Sequence, residues 1–154
     1  MAESRRQPKE APEGEYPTAL SARIGFLLAR AHAMAREEAD RALAEVGLSM
    51  KGYAALATLV SDGPISQQRL SQRIGMDPAT MVDVIDSLEE SGHLMRRRNP
   101  KDRREYALQP TAKGRALYAR AERALIAAEN ETIQGLDPQE SRSLMELLAR
   151  IAAS

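Results

Sequence analysis

The sequence contains no cysteine and no tryptophan, and phenylalanine occurs once in its 154 residues. The absence of cysteine excludes disulfide bonds, thiolate metal sites and cysteine-based redox sensing, and it agrees with a reducing cytoplasm. Because aromatic residues are so few, the core must be built from leucine, isoleucine, valine, methionine and alanine. This composition favours a mainly α-helical domain over a β-sandwich, and the length is that of about one domain.

Residues typical of catalytic sites are also scarce. The two histidines, His32 and His93, fall in separate predicted elements, and no cluster of histidines and carboxylates has the spacing of a metal site. The sequence has neither a glycine-rich phosphate loop nor a nucleophile elbow. We therefore expect no enzymatic activity, no cofactor and no metal.

The first 16 residues contain no apolar stretch and are rich in arginine, glutamate, glutamine and proline. They predict a disordered arm rather than a signal peptide or a membrane-spanning segment. The basic residues of this arm are offset by four glutamates, Glu3, Glu10, Glu13 and Glu15. We expect a solvated tail and no membrane contact.

Basic charge is concentrated in one short segment, although the net charge of the chain is zero. Residues 96–105 carry six basic side chains, Arg96, Arg97, Arg98, Lys101, Arg103 and Arg104, against the two acidic ones of Asp102 and Glu105. Asn99-Pro100-Lys101-Asp102 is a turn sequence, and the alternation Tyr106-Ala107-Leu108 follows it. The segment therefore predicts an anion-binding hairpin between two short strands.

Two short helices are predicted before this hairpin. Ser66 is a good N-cap for a helix that ends at Gly75, and Asp77-Pro78 is a strong start signal for a helix that ends at Gly92. Ile65 leaves room for only a very short strand. Two helices joined by a short turn and followed by a basic hairpin are typical of a winged helix-turn-helix that binds DNA.

Longer amphipathic helices flank this region. Apolar residues at spacings of three and four predict one long helix between Pro17 and Gly47, and Ser49, Thr111 and Asp137-Pro138 each begin a further helix. The terminal helices carry more apolar surface than one small winged domain needs, which indicates a partner surface. The predicted parts are a disordered arm (1–16), an N-terminal dimerisation helix (17–47), the winged helix-turn-helix (48–110) and C-terminal dimerisation helices (111–154).

The helix after Asp77 has a small-residue face suited to the major groove. Met81 and its apolar neighbours are expected in the core, whereas Thr80 can hydrogen-bond a base and Asp83 can accept from cytosine or orient an arginine. The alternative to base contact is that this face is ordinary exposed helix surface. The candidate DNA-contacting residues are Lys51, Ser66, Gln67, Gln68, Ala79, Thr80, Val82, Asp83, Arg96, Arg97, Arg98, Lys101, Asp102, Arg103 and Arg104.

Within the hairpin, Arg104 is distinguished from the other arginines by Asp102, two residues before it. A carboxylate there can hold the guanidinium in one orientation, so that less rotamer entropy is lost on entering the narrow minor groove. Arg96, Arg97 and Arg98 are expected to do no more than neutralise phosphate. A solvated run of charge is the alternative for the whole segment.

The residues from Leu70 to Gly114 resemble the MarR family of bacterial transcription regulators. The most specific segments are Leu88-Glu89 with Gly92-His93-Leu94, and Asp102-Arg103-Arg104 in the hairpin. The resembling run ends with Thr111-Ala112-Lys113-Gly114. The layout of the flanking helices extends the resemblance to residues 18–152. The chain departs from the family at Asp83, where a basic residue is common, at Pro110, where leucine is usual, and in its long N-terminal arm.

The resemblance implies a homodimer with interlocked terminal helices that presents two recognition helices and two wings to a pseudo-palindromic site in double-stranded DNA. It also implies that Arg104 enters the minor groove with Asp102 bracing it. Such proteins are commonly cytoplasmic repressors, associated with the bacterial nucleoid and released by a small aromatic or phenolic ligand. For a ligand pocket the candidates are His32, Tyr53 and Tyr118, each of which has plain packing as its alternative.

Two other functions fit the same residues. A winged-helix module could use the basic hairpin to bind an acidic protein, and a DNA-binding regulator could act with no small-molecule input. Preference for one DNA sequence over random duplex separates the regulators from the protein-binding module, and ligand-induced release separates the two regulators.

Overall fold

The computed structural model describes residues 17–98 and 106–153, and its order of elements is that of a winged helix-turn-helix with helices before and after it. The helices are α1 (Thr18–Ser21), α2 (Ile24–Glu45), α3 (Met50–Asp62), α4 (Gln67–Ile74), α5 (Pro78–Glu90), α6 (Ala112–Thr132) and α7 (Pro138–Ala152). The strands are β1 (Ile65–Ser66), β2 (Leu94–Arg98) and β3 (Tyr106–Pro110). The predicted mainly helical, winged fold class is confirmed.

The described residues form two compact units that divide between Ala33 and Met34, within α2. In the N-terminal unit, the predicted single long helix is interrupted, because α1 ends at Ser21 and α2 begins at Ile24. The apolar spacing continues across this break, so the pattern alone does not reveal it. The predicted disordered arm lies outside the described residues, and the predicted domain boundaries stay predictions.

Side-chain caps fix the helix starts of the C-terminal unit where the sequence predicts them. Ser49 accepts a hydrogen bond from the Gly52 amide at 3.1 Å, and Asp77 accepts one from the Thr80 amide at 2.9 Å. Asp137 and Glu140 form a reciprocal capping box at the start of α7. Because each cap satisfies a backbone amide that the helix itself leaves unpaired, these short-range signals set the helix boundaries.

The strands form one antiparallel sheet in the order β1-β3-β2, so β3 is central. Leu108 on β3 faces Ile65 on one side and Arg96 on the other. The two predicted strands of the hairpin are therefore neighbours in one ladder. The segment between them, residues 99–105, lies outside the described residues.

The core lies among the C-terminal part of α2, α3, α4, α5, α6 and the sheet. Its largest fully buried side chains are Leu43, Leu56, Leu59, Leu70, Met81, Ile85, Leu94, Leu108 and Leu117. Met81 and Ile85 are thus in the core, as the helical spacing predicts. Their burial turns the opposite face of α5 outward.

A close backbone contact joins the start of α6 to the start of β2. A Cβ at Gly114 would collide with the carbonyl oxygen of His93, which also accepts a hydrogen bond from the Thr111 amide at 3.1 Å. The Thr111 hydroxyl donates to the Gly92 carbonyl at 2.7 Å, and Lys113 donates to the Ser91 carbonyl at 2.8 Å. These contacts hold the loop between α5 and β2, residues 91–93, against the start of α6.

Among the described helices, no single one is long and apolar enough to cross a membrane, although α2 and α3 taken together would pass on length and composition.

Candidate nucleic-acid interface

The N-terminal end of α5 is the best-defined part of the candidate interface. Asp77 caps it, and Pro78 occupies the first turn, where its missing amide hydrogen costs nothing. Hydrogen bonds from Thr80 lower the pKa of Asp77, and the positive charge of Lys51 lowers it further. The carboxylate is therefore held in its charged form, which the partial positive charge of the helix end also favours.

The predicted base-contacting residues share the outward face of this helix. Ala79, Val82 and Asp83 are exposed, and Thr80 is half-buried. Val82 is 41% exposed, a large fraction for an apolar side chain on a helix whose other face is fully packed. The structure thus brings these four residues together on one open, small-residue surface.

The start of α4 contributes a second group of predicted residues. Ser66 caps the helix by accepting from the Arg69 amide at 3.3 Å, so its hydroxyl is already used within the fold. Gln68 is exposed. Gln67 is half-buried, with its Oε1 atom 3.5 Å from the guanidinium of Arg96.

The wing strand β2 separates the predicted basic residues into two kinds. Arg97 and Arg98 are exposed. Within the described residues, Arg97 Nε contacts the Met95 sulfur at 3.2 Å. Both are therefore available to an anion. The other predicted wing residues, Lys101, Asp102, Arg103 and Arg104, lie outside the described residues, so the bracing of Arg104 by Asp102 stays a prediction.

Arg96 differs from its neighbours because its charge is paired within the fold. Its Nη2 atom lies 2.7 Å from Asp86 Oδ1, and its Nη1 atom pairs with Glu89 Oε2. The hydrogen bond to Asp86 raises the pKa of Arg96, and the charges of both carboxylates raise it further against a smaller opposing effect of burial. These contacts favour a structural role for Arg96 over the predicted contact with phosphate.

A cavity of about 480 Å³, the cavity behind α5, lies between the start of α3 and the side of α5 that carries Thr80, Asp83, Val84 and Ser87. Its floor is apolar and its rim is polar, with Lys51, Thr80 and Asp83 among the rim residues. His93 lines the far end, where burial lowers its pKa and the charges of Lys113 and Arg120 lower it further. The cavity is large enough for a small aromatic molecule.

The predicted pocket residues Tyr53 and Tyr118 stack on each other, with ring centroids 5.9 Å apart and an interplanar angle of 23°. The Tyr53 hydroxyl donates to Glu122 Oε2 at 2.5 Å. Burial raises the pKa of both tyrosines, and the Glu122 carboxylate raises both further. The third predicted residue, His32, is exposed on α2 in the N-terminal unit. The structure thus brings two of the three candidates together, beside a glutamate that the sequence reasoning missed.

The C-terminal helix α7 has a continuous apolar face and no buried residue among those the structure describes. Met145, Ile151 and Leu147 are 69%, 57% and 52% exposed. Leu144 and Leu148 are also exposed. Leaving this much contiguous apolar surface in water is unfavourable, so the face has the properties expected of a partner surface.

Over residues 17–98 and 106–153, no group of three or more histidine, aspartate or glutamate side chains is placed to hold a metal ion.

Comparisons with known proteins agree with this arrangement. The family model described as the MarR family matches residues 48–106, from the start of α3 to the start of β3. A structure of the transcriptional repressor CouR bound to a 23-mer DNA duplex is 30% identical and superposes with a TM-score of 0.77. It covers 90% of this chain and 99% of its own.

Two ligand-bound structures are also similar. CouR from Rhodococcus jostii RHA1 bound to p-coumaroyl-CoA is 31% identical with a TM-score of 0.74, over 88% of this chain and 96% of that one. The Mycobacterium tuberculosis MarR family protein Rv2887 in complex with p-aminosalicylic acid is 30% identical with a TM-score of 0.69, over 85% of this chain and 99% of that one. From these similarities, which span nearly the whole length of each relative, the chain belongs to the MarR family.

Proposed function

We propose that this protein is a dimeric transcriptional repressor that binds a pseudo-palindromic DNA site with α5 in the major groove and the β2-β3 wing on the flanking backbone. The observation that carries the proposal is the open face of Ala79, Thr80, Val82 and Asp83 on a capped helix beside a strand with exposed arginines. Small side chains permit close approach to base edges, and arginines neutralise phosphate. The DNA-bound structure of CouR, a repressor, supports this proposal.

The apolar face of α7 supports the dimer. We infer that a second copy of this chain covers Leu144, Leu147, Leu148 and Ile151, because a two-fold dimer buries the same face on both copies. A dimer also presents two recognition helices, which sets the spacing of two half-sites at about one helical turn of DNA.

A small molecule that regulates this repressor would be an aromatic acid. The cavity behind α5 supports this part of the proposal, because its apolar floor suits a ring and Lys51 on its rim suits a carboxylate. Thr80 and Asp83 belong both to the rim and to the proposed DNA surface, so a molecule bound there competes with or displaces DNA contacts. The relative bound to p-aminosalicylic acid gives the chemical class to test first.

The stacked pair Tyr53 and Tyr118 is the other proposed ligand site. In this structure the two rings pack on each other and Tyr53 is hydrogen-bonded to Glu122. A ligand there has to separate the rings or replace the glutamate, and that cost makes the cavity behind α5 the better candidate.

The experiment that tests the proposed function is selection of bound fragments from a random duplex library, followed by titration of the selected duplex and of a random duplex of equal length. A repressor of this kind binds the selected duplex far more tightly, by roughly a thousandfold or more, and its affinity falls steeply with salt. Equal affinity for both duplexes would overturn the proposal and favour a protein-binding role for the wing.

Release of the selected duplex by p-aminosalicylate, benzoate and phenols then tests ligand control. The expected result is a fall in DNA affinity that tracks binding of the compound to the free protein, because a ligand shifts an equilibrium only by its unequal affinity for the two states. Ser87→Leu narrows the cavity. If the compounds still release the selected duplex from this variant, the cavity behind α5 is excluded as the ligand site and the tyrosine pair is left.

A further inference from the structure

The guanidinium of Arg96 joins three elements of the winged domain. Arg96 lies on β2, Asp86 and Glu89 lie three residues apart on α5, and Gln67 is the first residue of α4. Nη2 contacts both Asp86 Oδ1, at 2.7 Å, and Gln67 Oε1, at 3.5 Å, while Nη1 pairs with Glu89. The Arg96 amide adds a bond to Glu89 Oε1 at 3.4 Å. One side chain of the wing therefore contacts both helices of the helix-turn-helix.

These contacts leave Arg96 little capacity for phosphate. Its side chain is 31% exposed, and its single positive charge faces two carboxylates, so the cluster has a net charge of −1. A phosphate would have to replace charge-assisted hydrogen bonds to two separate carboxylates, and such bonds are stronger than neutral ones. The cluster repels phosphate more than it attracts it.

We infer that Arg96 is a positioning residue for DNA recognition, which fixes the angle of α5 against the wing through Asp86 and Glu89 instead of contacting DNA. The inference rests on the proposed function. The residues that would read the bases lie on the same helix as the two carboxylates, so tilting that helix moves its base-reading end. They are Ala79, Thr80, Val82 and Asp83. Sequence-specific binding needs that end in register with the groove, whereas non-specific binding to phosphate does not.

Arg97 provides a matched control on the adjacent position. Successive residues of a strand point to opposite faces of the sheet, and Arg97 is exposed where Arg96 is half-buried. Arg97 has the properties of a phosphate contact. The same substitution at the two positions therefore separates positioning from charge neutralisation.

The test compares Arg96→Gln and Arg97→Gln on the duplex selected by the wild-type protein and on a random duplex, at several salt concentrations. Arg97→Gln is expected to weaken both duplexes alike and to lower the log-log salt slope by about one for each protomer bound, and so by about two for the dimer. Arg96→Gln is expected to weaken the selected duplex about tenfold more than the random one, with the salt slope unchanged. Thermal unfolding of both variants verifies that the domain is folded at the assay temperature.

Asp86→Asn gives a second test, because the two possible roles of Arg96 predict opposite changes in DNA affinity. If Arg96 acts through Asp86, the substitution loosens α5 and weakens the selected duplex even though it removes a negative charge. If Arg96 contacts phosphate, the substitution frees its guanidinium and strengthens binding to both duplexes. Arg96→Lys is expected to recover only part of the selectivity, because a single ammonium cannot reproduce the planar fork between two carboxylates.

Each outcome decides between the two roles. A lowered salt slope for Arg96→Gln, or tighter DNA binding by Asp86→Asn, overturns the inference and makes Arg96 a phosphate contact. An unchanged preference for the selected duplex in Arg96→Gln also overturns it. Failure of the wild-type protein to prefer any duplex contradicts the proposed function instead, so the two failures are distinguishable.

Discussion

Single side chains set the start of the proposed recognition helix. The Asp77 carboxylate accepts from the Thr80 amide at 2.9 Å, and this contact needs no neighbour outside the helix's own first turn. Because the cap is local, it holds the base-reading end of α5 in place whether or not DNA is bound. Thr80 is half-buried, and its side chain as well as its backbone amide donates to this carboxylate.

The lowered pKa of Asp77 predicts a pH-dependent contribution to stability. Since hydrogen bonds from Thr80 lower this pKa in the folded state, the contribution is present above the pKa of an unfolded aspartate, about 3.9, and is lost as pH falls through the lower folded value. Asp77→Asn still caps the helix but does not titrate. Urea unfolding across pH 3 to 6 should therefore show that Asp77→Asn loses less stability in acid than the wild type does. Above about pH 5 the difference in free energy of unfolding between the two proteins should no longer change with pH.

Asp83→Asn is the control for this measurement, because it removes a carboxylate from the same helix without touching the cap. It should retain the wild-type acid loss. Equal pH dependence in wild type and Asp77→Asn would show that the cap does not couple to stability.

Gly114 is expected to tolerate no side chain. A Cβ there collides with the backbone carbonyl of His93, and backbone cannot turn aside as a flexible side chain would. Gly114→Ala should therefore lower the free energy of unfolding by about 1–3 kcal/mol, in spite of the higher helix propensity of alanine. Gly135→Ala, where nothing lies within 4 Å of the added Cβ, should change it little. Denaturant unfolding of both variants measures the difference, and equal stability would mean that α6 can shift away from β2 at no cost.

At the scale of whole elements, α5 combines a packed face with an open one. Met81, Ile85 and Leu88 are buried, whereas Ala79 and Val82 are exposed on the other side. This division allows substitutions on the open face to alter recognition without altering the core. The element is thus suited to reading DNA from a rigid support.

Ala79→Glu is expected to impair DNA binding with little effect on folding. A longer, acidic side chain at the groove-facing start of α5 keeps the helix away from the bases and repels phosphate, which should cost about tenfold or more in affinity for the selected duplex. Its free energy of unfolding should change by less than about 0.5 kcal/mol, as for other surface substitutions. Ala116→Glu, the same change at an exposed position of α6, should leave affinity within about twofold. Similar losses in both variants would remove the α5 face from the interface.

How far the sequence predicted the structure depends on the range of the interaction. Ser66, Asp77-Pro78 and Thr111 begin helices where predicted, because a cap acts within three residues of itself. The pairing of Arg96 with Asp86 depends on how β2 packs against α5, and its ten-residue separation fits no local pattern. The acidic pair Asp86 and Glu89, spaced three apart before a basic strand, is the one signal that could have indicated it.

The same reason explains what the sequence left open in the candidate site. The small face of α5 follows from helical periodicity, so Ala79 and Val82 were predictable as exposed. Glu122 could not be linked to Tyr53 from spacing, since 69 residues separate the partners of that hydrogen bond. Likewise, the cavity behind α5 exists only because the start of α3 packs beside that helix.

At the scale of the whole molecule, a protein with zero net charge binds DNA through the placement of charge. Arg96 is neutralised by Asp86 and Glu89, so we expect the attraction to DNA to depend on the exposed Arg97 and Arg98 and on the predicted wing residues beyond them. Non-specific affinity should accordingly be modest, because few phosphates are neutralised. A dimer with two wings compensates by contacting two half-sites at once.

Disruption of the α7 face tests this dependence on the dimer. Leu148→Asp places a charge in the centre of the apolar face, and a two-fold interface contains the substitution twice. Losing the burial of one leucine per copy costs about 3 kcal/mol or more in total, which corresponds to at least a hundredfold weaker dimer. Sedimentation should therefore show monomers at concentrations where the wild type is dimeric.

Ala149→Asp, the same acidic substitution near the polar side of α7, should stay dimeric. It therefore controls for any effect of an added aspartate on the stability of the helix itself. If α7 is the dimer surface, Leu148→Asp should bind a duplex with two half-sites no more tightly than a duplex with one, because the effective concentration supplied by the second recognition helix is lost. A Leu148→Asp variant that remains dimeric would assign the apolar face to a different protein. If the monomeric variant still binds the duplex with two half-sites more tightly than the duplex with one, the second copy assembles on DNA. The two winged domains would then contact each other through residues outside α7.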